Sequence, residues 1–409
     1  MTQVSPLAPA RFPDLPPIAG VGIAATAAGI RYKDRIDLLL VSMAPGTIAA
    51  GVLTRSLTAS APVEWCREAL AQGRARALVV NAGNANAFTG EAGRAGVKRA
   101  AAATATLFGC GEHEVYLAST GVIGETLPDE RIIAKLDELN RALAADAWPK
   151  AAGAIMTTDT YPKGSTRSLK IDGVPVTING IAKGSGMIAP DMATMLSFVF
   201  TDARIAQPVL QKLLSAAVAK SFNSITVDSD TSTSDTLLVF ATGQAAHAPI
   251  ENAVDRRLGP FRKALDAVLR DLALQVVRDG EGAERLVEIR VGGAASERAA
   301  RRVGLAIGNS PLVKTAIAAG DANWGRIVMA VGKAGERAER DLLAIRIGGV
   351  AVAEKGAAVA GYDEAPIAQH MQGREILIEV DLGVGKGKAT VWTCDLTHRY
   401  IDINGSYRS

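Results

Sequence analysis

The run Lys183-Gly184-Ser185-Gly186-Met187-Ile188-Ala189-Pro190-Asp191-Met192-Ala193-Thr194-Met195-Leu196 sets a glycine-rich turn, a proline and a small residue ahead of a threonine. Thr194, Leu196, Phe198 and Phe200 alternate with Met195, Ser197 and Val199. Both sets are mostly apolar, as in a strand buried on both faces. A threonine at the start of such a strand can present its hydroxyl to a pocket, or can be an ordinary β-branched strand residue. Other nucleophile arrangements are missing. Gly184-Ser185-Gly186 is too short for a G-x-S-x-G elbow, and no His/Asp set serves a serine or cysteine triad. A nucleophile in this chain must be activated without histidine. One route is a threonine whose own free α-amine is the base. Such an amine titrates at roughly 7.7–8.0, which suits general-base duty. Thr194 is internal, so the chain would first have to break before it. In that step Thr194 Oγ attacks the Ala193 carbonyl, and water hydrolyses the resulting ester.

The elements that must position these groups follow from pattern. The chain has 409 residues, enough for two domains or one large layered body. Aromatic residues are only 4%, so the core must come from Ala, Val, Ile and Leu. Net charge is +3 with scattered lysine and arginine, and no basic run indicates nucleic acid. The three cysteines, Cys66, Cys110 and Cys394, are far apart, and the four histidines lack metal-ligand spacing. Reduced thiols in a cytoplasmic setting are therefore expected, with no metal and no disulfide framework. Residues 1–30 show no basic segment before an apolar core, so no secretory leader is expected. No apolar run is long enough to span a membrane.

Ile36–Val41 and Ile48–Leu53, separated by Pro45-Gly46, read as paired strands. Helices are expected over 62–74, 92–108, from Pro128, from Pro208 and over 261–278. Ala77–Val80 and Val115–Ala118 read as strands ending in the polar runs Asn81–Asn86 and Ser119–Gly124. Met156–Thr160 is a hydroxyl-rich loop, and 167–181 a hairpin around Asp172-Gly173. Ser224 to Asp235 reads as a solvated loop or an oxygen-ligand cation site. It lacks the D-x-[DN]-x-[DN]-G pattern, so no metal is assigned. Val287–Val291 is a strand. Ile376–Val380 and Ala389–Thr393 read as a hairpin across Gly383–Lys388, a run without the order of a phosphate loop.

Lys183–Leu196, Asn81–Asn86, Ser119-Thr120-Gly121, Met156–Thr160, Phe222–Thr236, Asp279–Ala283, Ser310–Ile327 and Tyr400–Ser409, in register over nearly the whole chain, closely resemble the ArgJ family. That family is the ornithine acetyltransferase, or glutamate N-acetyltransferase, of cyclic arginine biosynthesis. The resemblance implies an α/β fold of stacked β-sheets covered by helices, the DmpA/ArgJ-like, self-processed N-terminal-threonine architecture. It implies cleavage between Ala193 and Thr194 into an α chain (1–193) and a β chain (194–409). Both build one protomer, and two α and two β chains form a heterotetramer. Thr194 would then carry an acetyl group from N-acetylornithine to glutamate in a ping-pong cycle. Thr120 and Gly121 match the oxyanion-hole pair. Thr157, Lys183, Thr194, Glu281, Asn404 and Ser409 match the substrate-binding positions. No cofactor is implied; whether acetyl-CoA is a second donor stays open.

The chain departs from the family pattern in places. The usual ending Ala-Asp-Tyr-Arg-Thr is here Gly405-Ser406-Tyr407-Arg408-Ser409, which keeps a terminal hydroxyl. Leu53-Thr54-Arg55-Ser56 stands where the family often has Phe-Thr-Thr-Asn. Two other readings compete with acetyl transfer: a self-processed aminopeptidase or amidase of related architecture, and a metabolite-binding protein that never cleaves.

Overall fold

Runs of apolar residues at strand spacing collect this chain into two sheets. The computed structural model describes residues 3–189 and 195–405. The first sheet is eight-stranded. Its strands are β1 (Val21–Thr26), β2 (Leu38–Leu53), β3 (Arg74–Asn84), β4 (Val115–Val122), β5 (Lys163–Ile171), β6 (Val174–Lys183), β7 (Leu196–Thr201) and β8 (Thr236–Ala241). They lie in the order β4-β3-β2-β8-β7-β6-β5, with β1 paired on β2. Strand β7 is interior, antiparallel to β6 and parallel to β8. Its Leu196, Phe198 and Phe200 face one cluster with Leu238 and Phe240. Its Val199 faces the other, with Leu237 and Val239. The strand expected to be buried on both faces is so buried over Leu196–Thr201. Ala193 and Thr194 lie outside the described residues.

Helices cover this sheet. In chain order they are α1 (Ala61–Gln72), α2 (Gly90–Phe108), α3 (Asp129–Arg141), α4 (Trp148–Ala154), α5 (Gln207–Val218) and α6 (Leu258–Arg278). Leu210, Leu213 and Leu214 of α5 and Leu265, Leu269 and Leu272 of α6 fill the cluster on one face. Cys66 of α1 and Trp148 of α4 fill the other. Helices α2 and α3 pack against Leu38, Leu40, Val79 and Leu117. The β5–β6 turn places Asp172 at φ +50° and Gly173 at φ +79°, the left-handed pair that a two-residue hairpin requires.

The second sheet is six-stranded, in the order β12-β11-β10-β13-β9-β14. Its strands are β9 (Leu286–Ala294), β10 (Ala344–Ile347), β11 (Val350–Glu354), β12 (Ala357–Ala358), β13 (Glu375–Asp381) and β14 (Gly387–Cys394). The accompanying helices are α7 (Glu297–Gly308), α8 (Pro311–Ala318), α9 (Trp324–Gly332), α10 (Glu364–Met371) and α11 (His398–Asn404). Val303 and Ile307 of α7, with Ile317, Ile327 and Ile367, cover one face. Trp392 and Cys394 of β14 join the cluster around α6, so α6 lies between the two sheets. Among the described residues no helix is long and apolar enough to cross a membrane.

Three expectations are corrected. Residues 36–54 do not form paired strands. Pro45-Gly46 sits in a bend of the single strand β2, whose first part pairs with β1 and β3 and whose second part pairs with β8. The tail is not a hairpin either. β9 lies between β13 and β14, parallel to the first and antiparallel to the second. The connection crosses the end of β9, where Val384 N–H and Gly385 N–H donate to the Gly293 carbonyl at 2.7 and 2.8 Å. An apolar β9 inserted between two apolar strands satisfies the backbone on both edges, which a hairpin would leave open. The loop after Ser224 is solvated only at its tip: Ser229, Asp230 and Thr231 are exposed, whereas Thr226, Ser232, Ser234 and Asp235 are buried.

Phe200 lies 5.6 Å from Trp148 and 5.3 Å from Phe240, ring centre to ring centre. Phe200→Ala is expected to cost about 3–5 kcal/mol in denaturant-unfolding stability. A loss below about 1 kcal/mol would show that this aromatic layer does not carry the core.

Candidate active site

The ends of β4 and β6 meet where the polar runs of the sequence begin. Strand β6 carries Lys183 into the interior, where only 3% of it is exposed. Its Nζ donates to Thr120 Oγ1 at 3.2 Å. Burial pulls Lys183 below the usual lysine range, and the nearby carboxylate of Asp159 opposes that pull. Thr120-Gly121 runs beside Ala82-Gly83 of the parallel neighbour β3. Gly121 has φ +135°, and a Cβ there would sit 2.2 Å from the Gly83 carbonyl carbon. Only glycine fits this close approach.

Thr120, Gly121, Thr157, Lys183, Glu281 and Asn404 all line one pocket, together with Ser232, Thr233 and Ser234. These six sequence-derived residues come from β4, β6, the loop before β5, the end of α6 and α11. Glu281 follows α6; its N–H donates to the Ser185 carbonyl at 2.9 Å, joining it to the Gly184–Gly186 turn. Its carboxylate accepts from Asn404 Nδ2 at 2.7 Å. It packs so closely on Gly186 that a Cβ at 186 would lie 2.4 Å from Oε2. Burial pushes Glu281 above the usual carboxylate range, while hydrogen bonds from Asn404 and Thr158 act the other way. Thr194 and Ser409 lie outside the described residues.

Behind the pocket is a charged cluster that sequence reading missed. Asp159 Oδ1 accepts from Lys163 Nζ and from Gly184 N–H, each at 2.6 Å, and Oδ2 accepts from Thr157 N–H at 3.0 Å. Lys163 Nζ also reaches Asp279 at 2.6 Å, and Asp279 accepts from Thr160 N–H at 2.9 Å. The Lys163, Asp159 and Asp279 side chains are all buried, those of the two ion pairs completely. Burial opposes charge on Asp159, but the Lys163 and Lys183 ammonium groups outweigh it and hold the carboxyl below its usual range. Lys163 is held above its ordinary value by the same two carboxylates, against the effect of burial. The sequence signals are that Asp159 falls inside the hydroxyl-rich loop and Asp279 opens the run Asp279–Ala283; Lys163 lies outside every run singled out. Two carboxyls of the loop read as solvated or as an oxygen-ligand site instead accept from backbone N–H groups. Asp228 accepts from Met187 N–H and Ile188 N–H at 2.6 and 2.8 Å. Asp235 accepts from Met195 N–H at 3.0 Å.

An α/β protein of two helix-covered sheets thus holds an ammonium and a carboxylate in one pocket at the ends of β4 and β6. The ArgJ family model matches residues 22–409. The arginine biosynthesis bifunctional protein ArgJ of Gluconobacter oxydans is 60% identical over 406 residues, covering 99% of this chain and 96% of that protein. The protein of the same name from Rhizobium meliloti is 59% identical over 410 residues, covering 100% and 99%. A crystal structure of the arginine biosynthesis bifunctional protein ArgJ from Bacillus halodurans is 41% identical with a TM-score of 0.51. It covers 52% of this chain and 100% of its own. The chain belongs to the ArgJ family.

Lys163→Ala would leave Asp159 and Asp279 buried without their cation, at an expected cost of about 3–5 kcal/mol at neutral pH. The deficit should shrink on acidification. In the wild type Asp159 has a depressed folded pKa, so its contribution is present above the unfolded value and lost as pH falls. In the variant, unpaired burial raises the folded pKa values, so protonation restores stability as pH falls. Denaturant midpoints at neutral and acidic pH check this; a deficit constant with pH would contradict it.

Proposed function

We propose that this chain is an arginine-biosynthesis enzyme that cleaves itself between Ala193 and Thr194 and then moves an acetyl group from N-acetylornithine to glutamate. One observation carries the reading: Lys183 and Glu281 present opposite charges in the pocket that Thr120 and Gly121 also line. An ammonium and a carboxylate in one pocket match the α-carboxylate and the amine of an amino acid. The names of its relatives supply the pathway. The matching Bacillus halodurans chain, covered in full by about half of this one, fits a piece the size of residues 194–409.

In the first step Thr194 Oγ attacks the Ala193 carbonyl carbon. The Ala193–Thr194 C–N bond breaks and the nitrogen takes the hydroxyl proton. Water then hydrolyses the ester, leaving the Ala193 carboxylate and a Thr194 with free hydroxyl and free amine. In the transfer cycle the amine takes the Thr194 hydroxyl proton as Oγ attacks the acetyl carbonyl. The proton passes to the leaving nitrogen, ornithine departs, and the acetyl group remains on Oγ. The amine of glutamate attacks that ester, and Thr194 regains its proton. Thr120 and Gly121 serve both oxyanions. Lys183 donates to Thr120 Oγ1, leaving the Thr120 hydrogen free to point elsewhere and making it a stronger donor. Removing one such donor typically costs roughly 2.7–4 kcal/mol of transition-state stabilisation. The reading includes chains 1–193 and 194–409, assembled as two α and two β chains in the cytoplasm, without a cofactor. Acetyl-CoA as a second donor is settled by assaying glutamate acetylation with it alone.

Thr194→Ala should stay as one 42.5 kDa chain without activity. Thr194→Ser should cleave and turn over more slowly, because its χ1 is less restricted. Cleaved wild type mixed with N-acetylornithine should gain one acetyl mass on the peptide that begins at Thr194. Acetyl on Ser185 or Cys394, or on no peptide, would sink the mechanism. Ornithine release that does not need glutamate would favour a hydrolase.

The raised pKa of Glu281 gives a second expectation. A carboxyl with such a pKa takes up its proton at higher pH than an exposed glutamate, so the charge that holds a substrate amine fades as pH falls from neutral. KM for N-acetylornithine should rise on acidification, and Glu281→Gln should start high and lose that pH dependence. A Glu281→Gln enzyme with the wild-type KM profile would remove Glu281 from amine binding.

A further inference from the structure

A second cavity, of about 490 Å³, shares no lining residue with the pocket of Lys183 and Glu281. It lies beside β14, the end strand of the second sheet, where that strand meets the elements covering the first. Its wall is basic. Lys220 follows α5, and Arg270 stands on α6, Arg290 on β9, Arg301 on α7 and Lys388 on β14. Glu297, at the start of α7, is the one carboxylate of this wall. The whole chain carries 45 lysines and arginines against 42 aspartates and glutamates, so the excess here is local and not a reflection of composition.

The excess is not cancelled from behind. Arg290 is held by Glu288 at 2.6 Å and stands 3.9 Å from Glu379. Arg301 Nη1 donates to the Ala219 carbonyl at 3.1 Å, a neutral acceptor. Among the described residues, the side chains of Lys220, Arg270 and Lys388 make no hydrogen bond and no ion pair. Asp266, one turn before Arg270 on α6, faces Lys220 and Arg270 without closing an ion pair with either. With Arg290 set against its own carboxylates, Lys220, Arg270, Arg301 and Lys388 outnumber Glu297 and Asp266.

Like charges gathered on one concave wall repel one another, and the repulsion is relieved when an opposite charge enters. The low-dielectric sides of a cleft focus the field, so an anion inside gains from several cations at once. The spread of the cations selects the anion. Arg301 stands on α7, which covers one face of β14, and Arg270 on α6, which packs on the other. A singly charged ion meets one of these groups. An anion with two or more phosphoryl groups spans them, and guanidinium forks match phosphate oxygens two at a time. The volume lies within the roughly 300–1,000 Å³ of small-ligand sites.

We propose that this cavity binds a small anion bearing two or more phosphoryl groups, held by Lys220, Arg270, Arg301 and Lys388. The inference does not rest on the reading of Thr194.

The probe is pyrophosphate, titrated into the whole wild-type protein at low ionic strength and followed by calorimetry and by tryptophan fluorescence, which Trp392 on the wall can report. One saturable site per chain is expected, with an affinity that falls as salt rises. Arg270→Gln and Lys388→Gln should each weaken binding about tenfold. Glu297→Gln should tighten it. All three side chains are exposed, so unfolding midpoints should stay close to wild type. Orthophosphate, ADP, coenzyme A and glutamate are titrated alongside, each also against Arg270→Gln. ADP or coenzyme A binding more tightly than pyrophosphate, and losing affinity in the variant, supports the site and assigns the phosphoryl groups to a nucleotide. Pyrophosphate binding more tightly than either supports the site with an inorganic ligand. Orthophosphate or glutamate binding as tightly as pyrophosphate overturns the ligand class. No saturable binding of pyrophosphate, or binding untouched by Arg270→Gln and Lys388→Gln, overturns the site. Weaker binding in Glu297→Gln overturns it too, even where a cation variant fails to fold.

Discussion

The Lys163 ammonium lies buried 2.6 Å from both Asp159 and Asp279, and the pocket is hung on those two carboxylates. Asp159 spends its remaining lone pairs on the backbone of Thr157 and Gly184. It thereby ties the hydroxyl-rich loop to the turn after Lys183. Asp279 ties the same loop to the end of α6, directly ahead of Glu281. A buried pair of this kind is weak evidence of net stability, because desolvation offsets much of the attraction. Its use here is geometric: it fixes the spacing between the groups that line the pocket.

That spacing explains why the site is assembled from so many elements. Lys183 arrives on a strand, Thr120 and Gly121 on another, and Glu281 after a helix that runs between the two sheets. Strands buried on both faces are rigid platforms, and polar residues belong at their ends, where the hydrophobic clusters stop. Gly121 and Gly186 give the walls room. At the first a side chain would collide with the Gly83 backbone, and at the second with the Glu281 carboxylate.

The pocket also shows why the acidic loop after Ser224 is so rich in short polar residues. Asp228 gathers the N–H groups of Met187 and Ile188, and Asp235 gathers that of Met195. Two carboxyls of one loop therefore hold the backbone on either side of Ala193 and Thr194. Asp228 also accepts from the Tyr400 hydroxyl at 3.3 Å. Short polar residues between them brace the loop: Ser234 N–H donates to Ser232 Oγ at 3.0 Å, and Thr236 Oγ1 donates to the Ser234 carbonyl at 2.9 Å.

The sequence alone determined what depends on neighbours along the chain. Alternation placed β7, helical spacing placed α5 and α6, and Asp172-Gly173 placed the β5–β6 turn, because each pattern is set by local geometry. The resemblance carried by separated motifs named Thr120, Gly121, Thr157, Lys183, Glu281 and Asn404, which the fold then brings to one pocket. The tertiary structure decided what depends on partners far away in sequence. Residues 376–393 look like a hairpin until β9 is available to lie between the two strands. Pro45-Gly46 looks like a reversal until β8 offers an edge for the second part of β2. The pairing of Lys163 with an aspartate 116 positions later leaves no local trace, because an ion pair is specified by where two strands and a helix end come to rest. The same holds for Asp235: its carboxyl becomes distinctive only when folding removes water from it and sets it against the amide of Met195.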